Sequence, residues 1–157
     1  MAIYGDMEII ETDCLHALDD VAEAGSVLCF KTAGSGFSLG DTSGEVQLAA
    51  APSGLKVAGI LMHPMVNVDE TRYKLNGYKN EAQITEPCEF MKKGWMVTNK
   101  VTGSPTLGDK AYLTANGVVT PTKVNDAATP LVGEFGGAKD ENGYVKLVVN
   151  LPNSHRA

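Results

Sequence analysis

The sequence predicts a mainly β fold: a small β-sandwich or barrel of two pseudo-repeated halves, with an extended N-terminal arm. Three observations carry this. Glycine and proline, 17 and 7 of the 157 residues, recur as punctuation between short apolar segments along the chain. Those segments have strand length and strand composition. Helical spacing is confined to one short stretch near the start. A chain of this length buries roughly 68 to 70% of its unfolded surface, so one core suffices without disulfides or a metal. With 43% hydrophobic and 20% charged residues, the chain is globular and not a disordered polyelectrolyte.

Residues 1–24 are acidic, with Ile3, Tyr4, Met7, Ile9, Ile10, Leu15 and Leu18 scattered among the acids. That pattern suits an arm laid on another surface better than a strand with a defined face. Within it, Asp13 to Ala22 has the spacing of one or two amphipathic helical turns, with Asp13 as N-cap and Gly25 as stop. Residues 25–151 are expected to form the β domain. Its strands are placed at 27–30, 46–49, 57–62, 96–98, 111–114, 131–135 and 144–151. A polar, charged insertion over 67–93 separates the halves, and 152–157 is a C-terminal tail.

In the last strand Val145, Leu147, Val149 and Leu151 alternate with Tyr144, Lys146, Val148 and Asn150, so one face is uniformly apolar. Asn116-Gly117, between Tyr112-Leu113 and Val118-Val119, favours the positive φ angles of a type I′ hairpin turn. Asp140-Glu141-Asn142-Gly143 offers a second turn before the final strand. A weak duplication runs through the chain. Gly25-Ser26-Val27-Leu28 parallels Gly94-Trp95-Met96-Val97, Gly40-Asp41-Thr42 parallels Gly108-Asp109-Lys110, and Val57-Ala58-Gly59-Ile60 parallels Leu131-Val132-Gly133-Glu134. Two such halves bury one apolar face each against the other.

Charge and motif content narrow the function. Nineteen acidic against 13 basic residues give a formal net charge of -6, the wrong sign for sequence-independent binding of nucleic acid. The longest apolar run, Val57 to Met62, falls far short of the roughly 18 residues of a membrane span. The acidic start carries no export signal, and Cys14, Cys29 and Cys88, odd in number and far apart, fit reduced thiols. Synthesis in a cytoplasm is expected. His16, His63 and His155 stand at no metal-ligand spacing, and Cys14 and His16 are read as structural. Asp19-Asp20, Asp69-Glu70 and Asp140-Glu141 belong to no calcium loop. Gly34-Ser35-Gly36-Phe37-Ser38-Leu39-Gly40 has the wrong interval for a dinucleotide loop and no helix after it. No nucleophile elbow or Ser-x-x-Lys motif has a suitable context. Catalytic residues, metal ligands and cofactors are therefore expected to be none. Trp95, the sole tryptophan, is placed in the core in preference to an interface.

The segments Lys93-Gly94-Trp95-Met96-Val97, Leu107-Gly108-Asp109-Lys110-Ala111-Tyr112-Leu113-Thr114, Gly117-Val118-Val119-Thr120, Pro130-Leu131-Val132-Gly133 and Gly143 through Leu151 resemble the capsid decoration, or cement, proteins of tailed bacteriophages. The resemblance extends weakly to Ala24-Gly25-Ser26-Val27 and Val57-Ala58-Gly59-Ile60, and departs from shorter members in the 67–93 insertion and the 24-residue leader. It implies a non-enzymatic virion protein, assembled in the host cytoplasm, that binds the outside of the expanded head as a homotrimer and bridges neighbouring major capsid subunits. The arm would order on the shell, with Ile3, Tyr4, Ile9, Ile10 and Leu15 as contacts to shell or neighbour. Two alternatives accompany it. One is a head fibre or adhesin-like module, which calls for clustered aromatics. The other is a biotinyl- or lipoyl-type carrier domain, which Glu89-Phe90-Met91-Lys92 resembles loosely; there the lysine must protrude at a tight turn.

Overall fold

The computed structural model describes residues 3–31, 44–67, 81–124 and 128–151. Eleven strands run in chain order: β1 Ile3–Leu18, β2 Val27–Phe30, β3 Gly44–Gln47, β4 Val57–Leu61, β5 Met65–Val66, β6 Ala82–Gln83, β7 Pro87–Thr98, β8 Lys110–Leu113, β9 Val119–Thr120, β10 Leu131–Phe135 and β11 Val145–Asn150. Among the described residues there is no α-helix. The helical turns expected from Asp13 onward are replaced by strand as far as Leu18. Ladder bonds to β7, with Asp13 opposite Phe90 and His16 opposite Cys88, satisfy the backbone that a helix of one or two turns would leave half-paired.

The long strand β7 organises everything else. On one side β1, β3, β2, β4 and β7 pair in turn, and β1 returns to β7, closing a five-stranded barrel. On the other side β7 continues through β11, β10 and β8 to β9. The chain just past β7 meets β9 again through a parallel bridge, Val101 to Val119. The two halves expected from the duplication therefore share one strand. Pro87 to Lys93, placed in the polar insertion by composition, is the first half of that shared strand. The small parallel pair β5–β6 adjoins the barrel, with Met65 bridged to Ala22.

Two apolar clusters fill the molecule. Leu18, Leu28, Val46, Ala58, Leu61, Met65, Cys88 and Phe90 form one. Val27, Cys29, Ile60, Met91, Met96, Leu113, Val132, Phe135, Leu147 and Val149 belong to the other. Neighbours in sequence on β2 and β4 contribute to opposite clusters, so these strands are covered on both faces; β4 is buried at all five positions. β11 shows the alternation read from its sequence, with Val145, Leu147 and Val149 buried and Lys146, Val148 and Asn150 exposed.

The repeated glycines play matching parts. A Cβ on Gly59 in β4 would lie 2.6 Å from the Met91 carbonyl oxygen of β7, and one on Gly133 in β10 would lie 2.0 Å from that of Val148 in β11. Each lets a strand press closely on its neighbour. Gly40-Asp41-Thr42 lies outside the described residues, as does the Gly34-to-Gly40 run. The Asn116-Gly117 turn joins β8 to β9 with φ of 58° and 72° at its two residues. The second turn is closed by Asp140, whose carboxylate accepts from the amides of Asn142 and Tyr144 at 2.9 and 2.7 Å.

Candidate interaction surface

β1 is bound to the molecule along one edge. From Ile3 opposite Thr98 to Ala17 opposite Pro87 it pairs with β7, with irregularities at four places. At its other edge β3 pairs in parallel with His16 to Leu18. Among the described residues no strand meets that edge from Ile3 to Leu15.

Side chains on β1 divide sharply along its length. Ala17 and Leu18 are buried, whereas every residue from Met7 to Thr12 is exposed. Neither face of the strand enters a core there, in keeping with the faceless pattern of the sequence. Met7, Ile9 and Ile10 show 39, 44 and 61% of their surfaces to solvent. Of the contact residues expected from sequence, Ile9 and Ile10 thus stand open, and Ile3, Tyr4 and Leu15 are placed on the same strand. Met7 joins them, although the contact set inferred from the resemblance passed over it.

From Met7 to Asp13 polar contacts fasten this strand, and from His16 to Leu18 packing does. Lys92 Nζ lies 2.6 Å from Asp13 Oδ2, and His16 Nδ1 lies 3.4 Å from Asp13 Oδ1. The His16 ring packs beside Phe30 and Phe90, at centroid distances of 5.3 and 5.5 Å. Trp95 Nε1 donates to Glu8 Oε2 at 2.9 Å, and Lys146 Nζ sits 4.0 Å from the indole centroid. Trp95 is therefore half-buried on the outer sheet face and not in the core as expected. Its strand-start position gave no sign of which face the indole takes. Glu11 stands opposite Lys93.

The leader is also the seat of the protein's charge. Residues 1–24 hold seven of the 19 acidic residues and none of the 13 basic ones, so the remainder is close to neutral. β1 alone carries Asp6, Glu8, Glu11 and Asp13.

Other chemistry-bearing groups are engaged in structure. All three cysteines are free; Cys14 is exposed, while Cys29 and Cys88 are buried. Burial pushes the Cys29 thiol up to about 12 and the Cys88 thiol up to about 11, so neither serves as a nucleophile near neutrality. Lys31 is held by Asp19 and Glu45 at 3.1 and 2.9 Å, which raises its pKa. Lys100 pairs with Glu23 and lowers that carboxyl. His63 pairs with Glu89 at 3.3 Å. Among the described residues no three His, Cys, Asp or Glu side chains are grouped to hold a metal. Lys92 lies mid-strand on β7 with its amine on Asp13, unlike a carrier lysine at the tip of a turn.

The described strands thus form a closed barrel with outer strands, along which β1 carries four acidic residues and the exposed Met7, Ile9 and Ile10. A family model described as "Structural cement protein (E217 gp24/Pam3 gp6)" matches residues 8–150. The chain belongs to this family. No curated protein matches it. Membership gives this cement protein a structural role in the phage capsid. The matched span takes in β1 from Glu8 onward together with the shared strand and both halves, so the exposed Ile9 and Ile10 lie within the family region.

Proposed function

We propose that this cement protein decorates the outer surface of the expanded head and bridges neighbouring major capsid subunits, without catalysis or cofactor. The observation that carries this reading is β1, a strand exposed on both faces from Met7 to Thr12 and projecting apolar residues that its own domain does not use. Ile3, Tyr4, Ile9, Ile10 and Leu15 are the proposed contacts to the shell or to a neighbouring copy. Homotrimeric assembly after synthesis in the host cytoplasm completes the proposal. Three linked copies engaging adjacent subunits convert weak contacts into slow dissociation, because each later contact forms at high effective concentration. Resistance to internal pressure then comes from many bridges, not from turnover.

Co-sedimentation of the purified protein with expanded and unexpanded heads of its own phage tests the reading. Binding to expanded heads is expected, with removal of residues 1–12 abolishing it while leaving a folded body by circular dichroism, since the buried Ala17 and Leu18 are kept. Failure of the full chain to sediment with expanded heads overturns the proposal. Light scattering of the free protein tests the trimer.

A further inference from the structure

Bridging two subunits takes two contacts at separate places, of which β1 is proposed as one. At one end of the second half two loops lie side by side, 102–109 before β8 and 136–144 between β10 and β11. Gly108 N donates to Phe135 O and Phe135 N to Asp109 O, at 2.9 and 2.8 Å, and Lys139 Nζ donates to the Val101 carbonyl at 2.6 Å. Each loop is closed by one aspartate. Asp109 Oδ2 accepts from the amide and the hydroxyl of Thr106 at 2.7 and 2.8 Å, and Asp140 Oδ1 accepts from the amides of Asn142 and Tyr144. Pro105 is buried, and Gly108 takes a φ of 86°.

From this mount Leu107 projects with 78% of its surface exposed, the most of any large apolar residue among those described. A lone exposed leucine is ordinary on a protein surface. Here the turn around it is built by Thr106, Gly108 and Asp109, and the leucine, turned to solvent, adds nothing to it. In sequence the first half carries the same order of residue types, Ser38-Leu39-Gly40-Asp41, again with leucine second of the four.

We infer that Leu107 on its two-loop mount is a second capsid contact, an anchor that enters an apolar socket with a basic rim on a neighbouring capsid subunit. The inference rests on the decoration reading above and names the other surface that bridging needs. Leu107 adjoins β10, three strands from β1 in the order β1-β7-β11-β10, or about 14 Å at the spacing of paired strands, so the two contacts are distinct. Hydrogen bonds already fix both loops, and little ordering entropy is lost when the leucine docks. The rim follows from charge. Asp109, Asp140 and Glu141 stand on the same two loops as the leucine, while Lys139 is turned onto the Val101 carbonyl. A second copy, at a formal net charge of -6, is the disfavoured occupant, because like charges across an interface repel.

The test titrates the full chain and its variants onto expanded heads. Val21→Asp is the control, placing a charge at a residue 54% exposed beside the Ala22–Met65 bridge. An open leucine tolerates substitution, so urea midpoints should stay at the parent value. Leu107→Asp is expected to weaken binding about tenfold or more, as leaving one leucine unburied implies; Leu107→Ala should weaken it by a smaller factor and Val21→Asp not at all. Glu141→Lys should weaken binding in low salt and have less effect in high salt. Hydroxyl-radical labelling read by mass spectrometry should mark Leu107 in the free protein and spare it on heads.

Leu107→Asp binding at the parent affinity, or equal labelling of Leu107 free and bound, overturns the inference and leaves the decoration reading standing. Tighter binding by Glu141→Lys overturns the basic rim. If the parent chain does not bind heads, the decoration reading and the capsid socket fall together. If Leu107→Asp dissociates an oligomer of the free protein in light scattering, the socket belongs to a second copy and the choice of occupant is overturned.

Discussion

β11 and the N-terminal half of β1 lie on opposite edges of the same stretch of β7, both antiparallel to it between Lys93 and Thr98. They share a partner and a direction and are held by different physics. β11 drives Val145, Leu147 and Val149 into the core, each at most 2% exposed. β1 buries nothing between Met7 and Thr12, and holds on through ladder bonds and the Lys92–Asp13 and Trp95–Glu8 contacts. Hydrogen bonds and partly exposed ion pairs each contribute about 1 kcal/mol or less net, whereas a buried leucine contributes about 1.5 to 3 kcal/mol from burial alone. One strand is thus committed to the core by its side chains, and the other leaves Met7 to Thr12 exposed.

The contrast is sharpest at Gly133. A Cβ there would sit 2.0 Å from the Val148 carbonyl oxygen of β11, so Gly133→Val is expected to cost about 4 kcal/mol or more. Urea denaturation would read this as loss of a folded baseline. Leu147→Ala should cost about 3 kcal/mol, the middle of the range for truncating a buried leucine, seen as a lower urea midpoint at unchanged slope. A loss under 1 kcal/mol would break the assignment of β11 to the core.

Alkaline titration extends the contrast between buried and exposed strand positions to the thiols, Cys29 of β2 and Cys88 of β7 against Cys14 of β1. Cys29 and Cys88 are raised from 9.0 to about 12 and about 11 by burial. Above about 9 the unfolded chain releases these protons and the folded chain keeps them, so the unfolded state binds fewer. Their contribution is whole below 9 and is lost as pH rises through the folded values. Stability measured at pH 8 and pH 10.5 should fall, and Cys29→Ser with Cys88→Ser should flatten that fall. A thiol reagent at neutral pH should label Cys14 and spare the other two until unfolding.

On β1 itself the effects should be small. Lys92→Ala removes a partly exposed pair with Asp13 and should cost about 1 kcal/mol or less, with faster amide exchange from Met7 to Thr12 as the more sensitive measurement. Ile10→Ser should leave stability within about 0.5 kcal/mol while weakening binding to heads. A loss of several kcal/mol would show that β1 belongs to the core after all, and would erase the distinction between the two edges.

Strands whose residues alternate or are bounded by turns were legible in the sequence. β2 and β10 occur over the predicted residues, and the alternation of β11 and the Asn116-Gly117 turn follow from local chemistry; the paired glycines Gly59 and Gly133 could be matched in sequence, while their crowding by neighbouring strands could not. Cement family membership was legible too, because it is carried by that spacing of glycines and strands. The exposed apolar residues of the leader could be named, Ile9 and Ile10 among them, because nothing in their surroundings gave them a face to bury. What remained hidden was where the leader goes. Its irregular pattern holds no information about a partner 80 or so residues away, and Pro87 to Lys93 reads as polar because half of its residues answer the acids of β1 or face solvent. A strand's side chains record the face it buries, and so composition determines cores. Its backbone is the same in every residue, so only the assembled sheet decides which edges are paired and which strand two halves share.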